Sequence, residues 1–534
     1  MQKILLIHPD DNLIVALKPL SKEETVIWDG KTYTLLSDIA AKHKFAMCDL
    51  NIDDIVYMYG VPVGKATKTI AKGEAVTTAN IKHYAAPIEL NTDISYQWTP
   101  PNVKKWQHRT FQGYIREDGR VGTANYWLIL PLVFCQNRNV LKLQEALAKP
   151  LGYETRNYES VTQNLLQEYR VHPNSYSNNR PFKNIDGIRA ITVNSGCGGT
   201  SNDAQSLCKI LADYADHPNV AGITVFALGC EKAQADLFDQ QLKICNPHFN
   251  KPYIFLRQQE WADEQEMMNE AIKLTFAELK NANNITRQAV PLSKLKIGVK
   301  CGGSDGFSGI SANPAMGIVS DIIVALGGAS ALAEFPELCG TEGEMVSRCQ
   351  TVKDKKHFLE LMKNYESQAN HFSTSIADNP SPGNIKDGLI TDAIKSTGAA
   401  KKGGSAPIMA VVDYGEPMAE QGLSLVCTPG NDLEAVTGQV ASGANIVIFS
   451  TGLGTPTGNP IVPVLKIATN SITAEKQKSV IDFDCGPVID GIALQDIADQ
   501  LLEKVILTAS GDYTVKADEL EQYDFLFWKR EVSL

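Results

Sequence analysis

From Phe111 onward the sequence alternates short, wholly apolar runs with amphipathic stretches of helical period, and this alternation leaves few architectures open. WLILPLVF is apolar from end to end, as suits a strand covered on both faces. VLKLQEALAKPL, GIRAITVNSG, NDAQSLCKILADYA, VAGITVFALG, EKAQADLFDQQLKI and KPYIFLRQ follow, helix and strand patterns in succession. Such a succession predicts crossover helices between parallel strands, hence an α/β fold with a largely parallel sheet. A second region of the same texture starts at KLKIGVKCGGSDG and runs through DIIVALGGASALAEFPEL, PIMAVVDYG, ANIVIFSTGLGTPTG and VPVLKIATNS.

The first part of the chain reads differently. KILLI, ETVIWDG and KTYTLL are short strand patterns with turn residues between them, and VPVGKA followed by KGEAV suggests a compact β-clip-like module. With 534 residues, the chain is too long for one core. The expected division is a small β-clip module at 1–86, an extended linker at 87–106 containing a Pro-Pro pair, and α/β regions at 107–290 and 291–534.

Charge and composition exclude several classes of function. A net charge of -11, with the longest basic cluster (Lys353 to Lys356) interrupted by Asp354, argues against nucleic-acid binding. No run approaches the ~18 apolar residues of a membrane span. MQKILLIHPDDN lacks the longer apolar region and cleavage site of a signal peptide, so a cytoplasmic location is expected. The 11 cysteines are an odd number in a large chain, which does not suit a disulfide framework. Large α/β enzymes are often symmetric dimers, and a homodimer is the default expectation.

Chemistry is expected where parallel strands end, because such folds bind ligands in the loops at the carboxyl ends of their strands. KCGGSDGFSGISANP is a long loop of small residues whose backbone N–H groups can cradle an anion, with Ser304 and Asp305 available to hydroxyls. FSTGLGTPTGNPIVPVLKIATNS is dense in glycine, threonine and asparagine, and includes Thr455 and Asn470. Lys466 lies on its apolar stretch, where a buried ammonium needs a partner such as a substrate carboxylate. In TPGNDLEA, Asn431 or Asp432 suits a helix N-cap, a role compatible with ligand binding. Cys135, Cys197 and Cys230 each lie at or just after an apolar strand. Isolated cysteines are ordinarily packing residues, but three brought together by parallel strands can ligate iron or an iron-sulfur cluster. His8 and His43 share the N-terminal module and sit beside charged neighbours, as catalytic or metal-binding histidines do.

Several of these runs together resemble the altronate/galactarate dehydratase family. They are IHPDDN, AKHKFA, GVPVGKA, GRVGTANYWLILP with Cys135, LGCE at Cys230, KCGGSDGFSGISANP, NPSPGN, TPGND, STGLGTP and VLKIATNS, in matching order over nearly the whole chain. The resemblance implies an N-terminal SAF-type β-clip module, a larger catalytic region, dehydration of aldonic or aldaric acids, and ferrous iron, with a cluster as the alternative. Under it His43 is the base or a metal ligand and Lys44 steadies the substrate carboxylate. Cys135, Cys197, Cys230 and His8 are metal ligands, and Glu231 is an acid or a support to that site. Ser304, Asp305, Asn431, Asp432, Thr455 and Asn470 bind hydroxyls, and Lys466 pairs with a carboxylate. The chain departs from the family pattern at Ala124, at Val193 to Ser195, at Lys300 (glutamate in altronate dehydratases), at Ala399 and at Leu453. These departures point to a sugar acid other than altronate itself. The alternatives are a carbon-sulfur lyase acting on a sulfonated hydroxy acid and a non-catalytic sugar-acid-binding paralogue.

Overall fold

The computed structural model describes residues 2–85, 96–154 and 180–534, so residues 87–95 of the expected linker lie outside the described residues. The N-terminal residues form small antiparallel sheets. One orders Ile4–Leu5, Leu13–Ala16, Lys44–Ala46 and Ala75–Val76; another orders Ile55–Met58, Val61–Ala66 and Ile81–Lys82; Thr25–Trp28 pairs with Lys31–Thr34. Asp11 joins the pieces: its carboxylate accepts the N–H groups of His8, Tyr59 and Gly60.

This module does not keep its hydrophobic core to itself. Leu13, Val15, Val56, Met58 and Val63 pack in one cluster with Phe307, Ile310, Leu389, Ile390 and Ile394 from the region of the seven-stranded sheet. The Thr391 hydroxyl donates to the Val63 carbonyl at 2.9 Å. Gly388 makes the approach sterically feasible: it has φ +92°, and a Cβ there would lie 2.4 Å from the Lys42 carbonyl oxygen. Segment 42–44 is therefore held against segment 386–388.

The middle region is a four-stranded parallel sheet in the order Gly187–Ala190, Tyr126–Pro131, Val220–Ala227, Tyr253–Arg257. Every residue of Tyr126–Pro131 and Val220–Ala227 is buried, because helices cover both faces. A small antiparallel sheet brackets the region: Thr110–Ile115 at its entry pairs with Gln288–Pro291 at its exit. The last region is a seven-stranded parallel sheet in the order Ile408–Val412, Gly422–Val426, Ala329–Leu332, Lys296–Cys301, Ile446–Thr451, Val464–Ala468, Phe483–Asp484. The two α/β regions share a continuous core, in which Leu207, Ile210 and Tyr214 of helix Ser201–Asp216 join Val436 and Val440 of helix Asp432–Ala441. No helix among the described residues is long and apolar enough to cross a membrane.

Both parallel sheets contain a topological switch point, where successive connections leave a central strand in opposite directions and open a crevice at the carboxyl ends. In the large sheet it lies between Lys296–Cys301 and Ile446–Thr451; in the small one, between Tyr126–Pro131 and Val220–Ala227.

Candidate active site

At the large sheet's switch point the two glycine-rich loops lie side by side. The Gly302 N–H donates to the Ser450 carbonyl at 3.0 Å, and the Gly452 N–H to the Gly303 carbonyl at 3.1 Å. The Thr451 hydroxyl accepts the N–H groups of Leu453, Gly454 and Thr455, so that turn is internally satisfied. The facing turn is not: among the described residues the N–H groups of Gly303 and Ser304 have no hydrogen-bond partner. Gly303 has φ +58°, and two successive N–H groups around such a residue form a small anion nest.

The module supplies the other wall. Lys42 Nζ lies 2.9 Å from Asp305 Oδ2 and 3.7 Å from Asp387 Oδ1. Asp305 is fully buried; its Oδ1 accepts from the Phe307 N–H and the Ser308 hydroxyl, and its Oδ2 from the Asn470 amide at 3.2 Å. His43 is half-buried, with Nε2 2.9 Å from the Lys386 carbonyl oxygen. A carbonyl can only accept, so Nε2 carries the proton, and a neutral His43 has its lone pair on Nδ1. Lys44 is fully buried and donates to the Gly388 carbonyl at 2.6 Å. Burial pulls its ammonium down to about 7, against the opposing influence of Asp305.

Beneath the loops lies a buried charge network. Lys300 Nζ pairs with Glu334, with Asp432 Oδ1 at 2.8 Å and with the Cys301 carbonyl at 2.8 Å. Lys402 Nζ lies 2.7 Å from Glu334 Oε2 and 3.0 Å from Cys301 Sγ, and Lys395 Nζ lies 2.9 Å from Glu337 Oε1. Glu334 adopts φ 70°, a left-handed conformation costing a non-glycine residue roughly 1–2 kcal/mol, with its N–H held by the Thr428 hydroxyl. Burial opposes charge on Lys300 and Lys402, but the neighbouring carboxylates outweigh it and raise both pKa values. Burial also opposes charge on Glu337, yet Lys395, Lys402 and Lys300 bring it down to about 2, while burial pushes the Cys301 thiol up to about 12. Donor atoms of Cys301, Glu334 and Glu337 lie within 4.8 Å of one another, the one such grouping of potential metal ligands found among the described residues.

The small sheet's switch point carries the exposed thiols of Cys135, Cys197 and Cys230. Their loops are joined by backbone hydrogen bonds, from Phe134 N–H to the Ser195 carbonyl at 3.0 Å and from the Lys232 and Ala233 N–H groups to the Gly196 carbonyl at 2.8 and 3.1 Å. Glu231 is buried and turns back to accept the Gly229 N–H at 2.7 Å, bracing the Cys230 loop.

These features have relatives among known proteins. Residues 2–84 match the altronate/galactarate dehydratase SAF domain, residues 113–283 the D-galactarate dehydratase/altronate hydrolase second domain, and residues 292–533 the D-galactarate/altronate dehydratase C-terminal domain. The altronate dehydratase of Bacillus subtilis (strain 168) is 32% identical over 515 residues, 96% of each chain. That of Escherichia coli (strain K12) is 33% identical over 509 residues, 95% of each chain. The L-threo-forming galactarate dehydratase of Escherichia coli (strain K12) is 29% identical over 520 residues, 96% of this chain and 94% of that protein. The chain belongs to the altronate/galactarate dehydratase family. It is a hydro-lyase.

Within this dehydratase the residues singled out in the sequence fall into separate groups. Asp305 and Asn470 meet at the seam, with Lys44, His43 and Ser304 beside them, and Thr455 Oγ1 would lie 2.9 Å from a Cβ at Gly303. Asn431 caps helix Asp432–Ala441 by accepting the Leu433 and Glu434 N–H groups, while Asp432 faces Lys300. Lys466 does not join them. Its ammonium meets Gln522, and burial lowers its pKa to about 8 against Asp482, Asp524 and Asp518. His8 does not join the thiols: its Nδ1 accepts the Asp10 N–H within the module. Among the described residues, no hydrogen bond or ion pair links the cysteine loops to His43 or Lys44.

Sequence reasoning missed Lys42, Cys301, Glu334, Glu337, Lys395 and Lys402. The available signal was charge inside apolar context: two glutamates three apart in ALAEFPEL, directly after a strand, and lysines in the otherwise small-residue run STGAAKKGG. Of the departures from the family pattern, Ala124, Val193 and Ala399 are buried, and Lys300 is the centre of the charge network. Leu453 is 60% exposed beside Gly303.

Proposed function

We propose that this hydro-lyase dehydrates an aldonic or aldaric acid, altronate-like in its carboxylate and neighbouring hydroxyls, to a 2-keto-3-deoxy acid at the seam between the N-terminal module and the large sheet. One observation carries the assignment: His43 is anchored through Nε2, leaving Nδ1 as a base beside the Lys42–Asp305 pair and the Gly303–Ser304 nest.

In this reading the substrate carboxylate sits on the Gly303 and Ser304 N–H groups with Lys42 Nζ at its edge, and the Ser304 hydroxyl and Asn470 amide orient hydroxyls. Fixed donors stabilise the charge that grows on the carboxylate as the C2 proton leaves. His43 Nδ1 takes that proton; the C2–H electron pair forms the C2=C3 bond as the C3–O bond breaks. The imidazolium returns a proton to the departing hydroxide, which gives water, an enol and neutral His43. The enol then tautomerises to the 2-keto acid. Acid-base help of this kind contributes roughly 10²–10⁴-fold.

Two donor sets bear on iron. The Cys301–Glu334–Glu337 set does not suit it, because three ammonium groups already occupy its polar faces. Thiolates have suitable donor chemistry, and although the sulfurs of Cys135, Cys197 and Cys230 do not all lie within 4.8 Å of one another, they stand exposed on three adjoining loops, so we assign iron, Fe²⁺ or a cluster, to them. Iron held there would supply Lewis-acid chemistry, at a switch point that no hydrogen bond or ion pair among the described residues links to His43.

The test is a turnover screen of iron-reconstituted protein against aldonic and aldaric acids, assaying 2-keto-3-deoxy products. Formation of the keto acid from a panel member, abolished in His43→Ala, is the expected result. No product across the panel with iron bound, or sulfite release from a sulfonated hydroxy acid instead, would overturn the reading.

A further inference from the structure

The buried network under the glycine-rich loops has the oxygen atoms of a cation site, and an amine occupies it. Three acceptors converge on Lys300 Nζ: Glu334 Oε1, Asp432 Oδ1 and the Cys301 carbonyl. Around it Lys300, Lys395 and Lys402 face Glu334, Glu337 and Asp432, three ammonium groups against three carboxylates. Lys300, Lys402 and Glu334 are wholly inaccessible to solvent. A buried carboxylate pair left without positive charge is strongly unfavourable, so something cationic has to stand there. A divalent ion and a lysine ammonium are alternative occupants, and both cannot fit within hydrogen-bonding distance of the same oxygens.

We infer that Lys300 is a resident cation, taking the place of a divalent metal ion in the large sheet's switch point and serving as a positioning residue for the reaction. Asp432, which it holds, lies directly beneath the nest: a Cβ on Gly302 would come within 2.6 Å of both Asp432 carboxylate oxygens. Lys300 therefore sets the height and charge of the surface on which Gly302, Gly303 and Ser304 rest. An amine cannot be chelated or exchanged, so this half of the enzyme keeps its organisation whatever happens to iron at the thiols. The positioning role rests on the sugar-acid reading above; the occupancy does not, and it is tested without substrate.

The experiment is a Mn²⁺ titration of the full chain, followed by electron paramagnetic resonance of free Mn²⁺ and by thermal unfolding. Mn²⁺ prefers oxygen donors and so reports on the carboxylates rather than the thiols. The wild-type chain should leave the Mn²⁺ signal and its own Tm unchanged. Lys300→Ala opens the cavity; it should unfold at lower temperature, bind about one Mn²⁺ per chain and recover Tm as Mn²⁺ is added, by mass action. Lys300→Ser, which also opens the cavity and leaves a hydroxyl in it, serves in its place if Lys300→Ala does not fold. Stoichiometric Mn²⁺ binding by the wild type that disappears in Asp432→Asn would overturn the inference. So would a folded Lys300 variant that binds no Mn²⁺ at millimolar concentration. Failure of the turnover screen leaves either result standing, so the two readings fail separately.

Discussion

The two switch points share a topology and differ in everything set above it. At the end of the four-stranded sheet stand exposed thiols on loops tied by backbone hydrogen bonds; at the end of the seven-stranded sheet stand largely buried charges under glycine-rich loops and a docked module. The thiols of the first arrangement are open to solvent. In the second, removing a fully buried charge leaves its partners under-compensated in a low-dielectric interior.

The largest effect is expected at the sealed end. Glu334→Gln leaves Lys300 and Lys402 without their shared carboxylate and should destabilise the chain by about 3–5 kcal/mol, the loss typical of a broken buried pair, as read by urea unfolding. His43→Ala should cost roughly 10²–10⁴-fold in kcat/KM with Tm nearly unchanged, because the ring is half-buried and holds a single carbonyl. Cys197→Ser should remove iron, measured by metal analysis, while shifting stability by less than about 0.5 kcal/mol, as an exposed substitution does. A drop in stability as large as that of Glu334→Gln would erase the contrast between the two ends.

A pH experiment sharpens it further. Burial raises the Asp392 carboxyl to about 8 from its ordinary 3.8, and its Oδ2 has no hydrogen-bond partner. The folded chain therefore holds a proton that the unfolded chain releases. This contribution is complete below pH 3.8, declines as pH rises and is gone above about 8. Asp392→Asn should flatten stability against pH across that window, whereas cysteine variants should leave the profile unaltered. Asn431→Ala, a lost N-cap, should cost about 1 kcal/mol, well below the effect of Glu334→Gln.

The same contrast explains what could be seen in the sequence. Alternating strand and helix patterns determine which segments form the parallel sheets, and glycine-rich loops mark strand ends, so the α/β architecture and loops 302–305 and 451–455 were legible. The loop thiols were legible too, since a cysteine after a strand end stands out locally. Lys402, Lys395 and Glu337 were not, because their meaning lies in partners far away in sequence: Lys402 meets Cys301 across 101 positions. Lys466 shows the reverse error. A lysine in an apolar strand does need a partner, but the partner is Gln522 on the chain's own final segment. Lys44 was read as a surface for the substrate carboxylate, yet strand Lys44–Ala46 is wholly buried and places the more accessible Lys42 at the seam.

The most direct test of where the chemistry occurs is the fate of the C2 proton. A sugar acid identified in the turnover screen would be incubated in D₂O with wild-type protein and with iron-loaded His43→Ala, and followed by proton NMR. Keto-acid formation by the wild type, with neither product nor C2 exchange in a variant that keeps its iron and Tm, is the predicted result. Turnover by His43→Ala at the wild-type rate would contradict the account and move the base away from the seam.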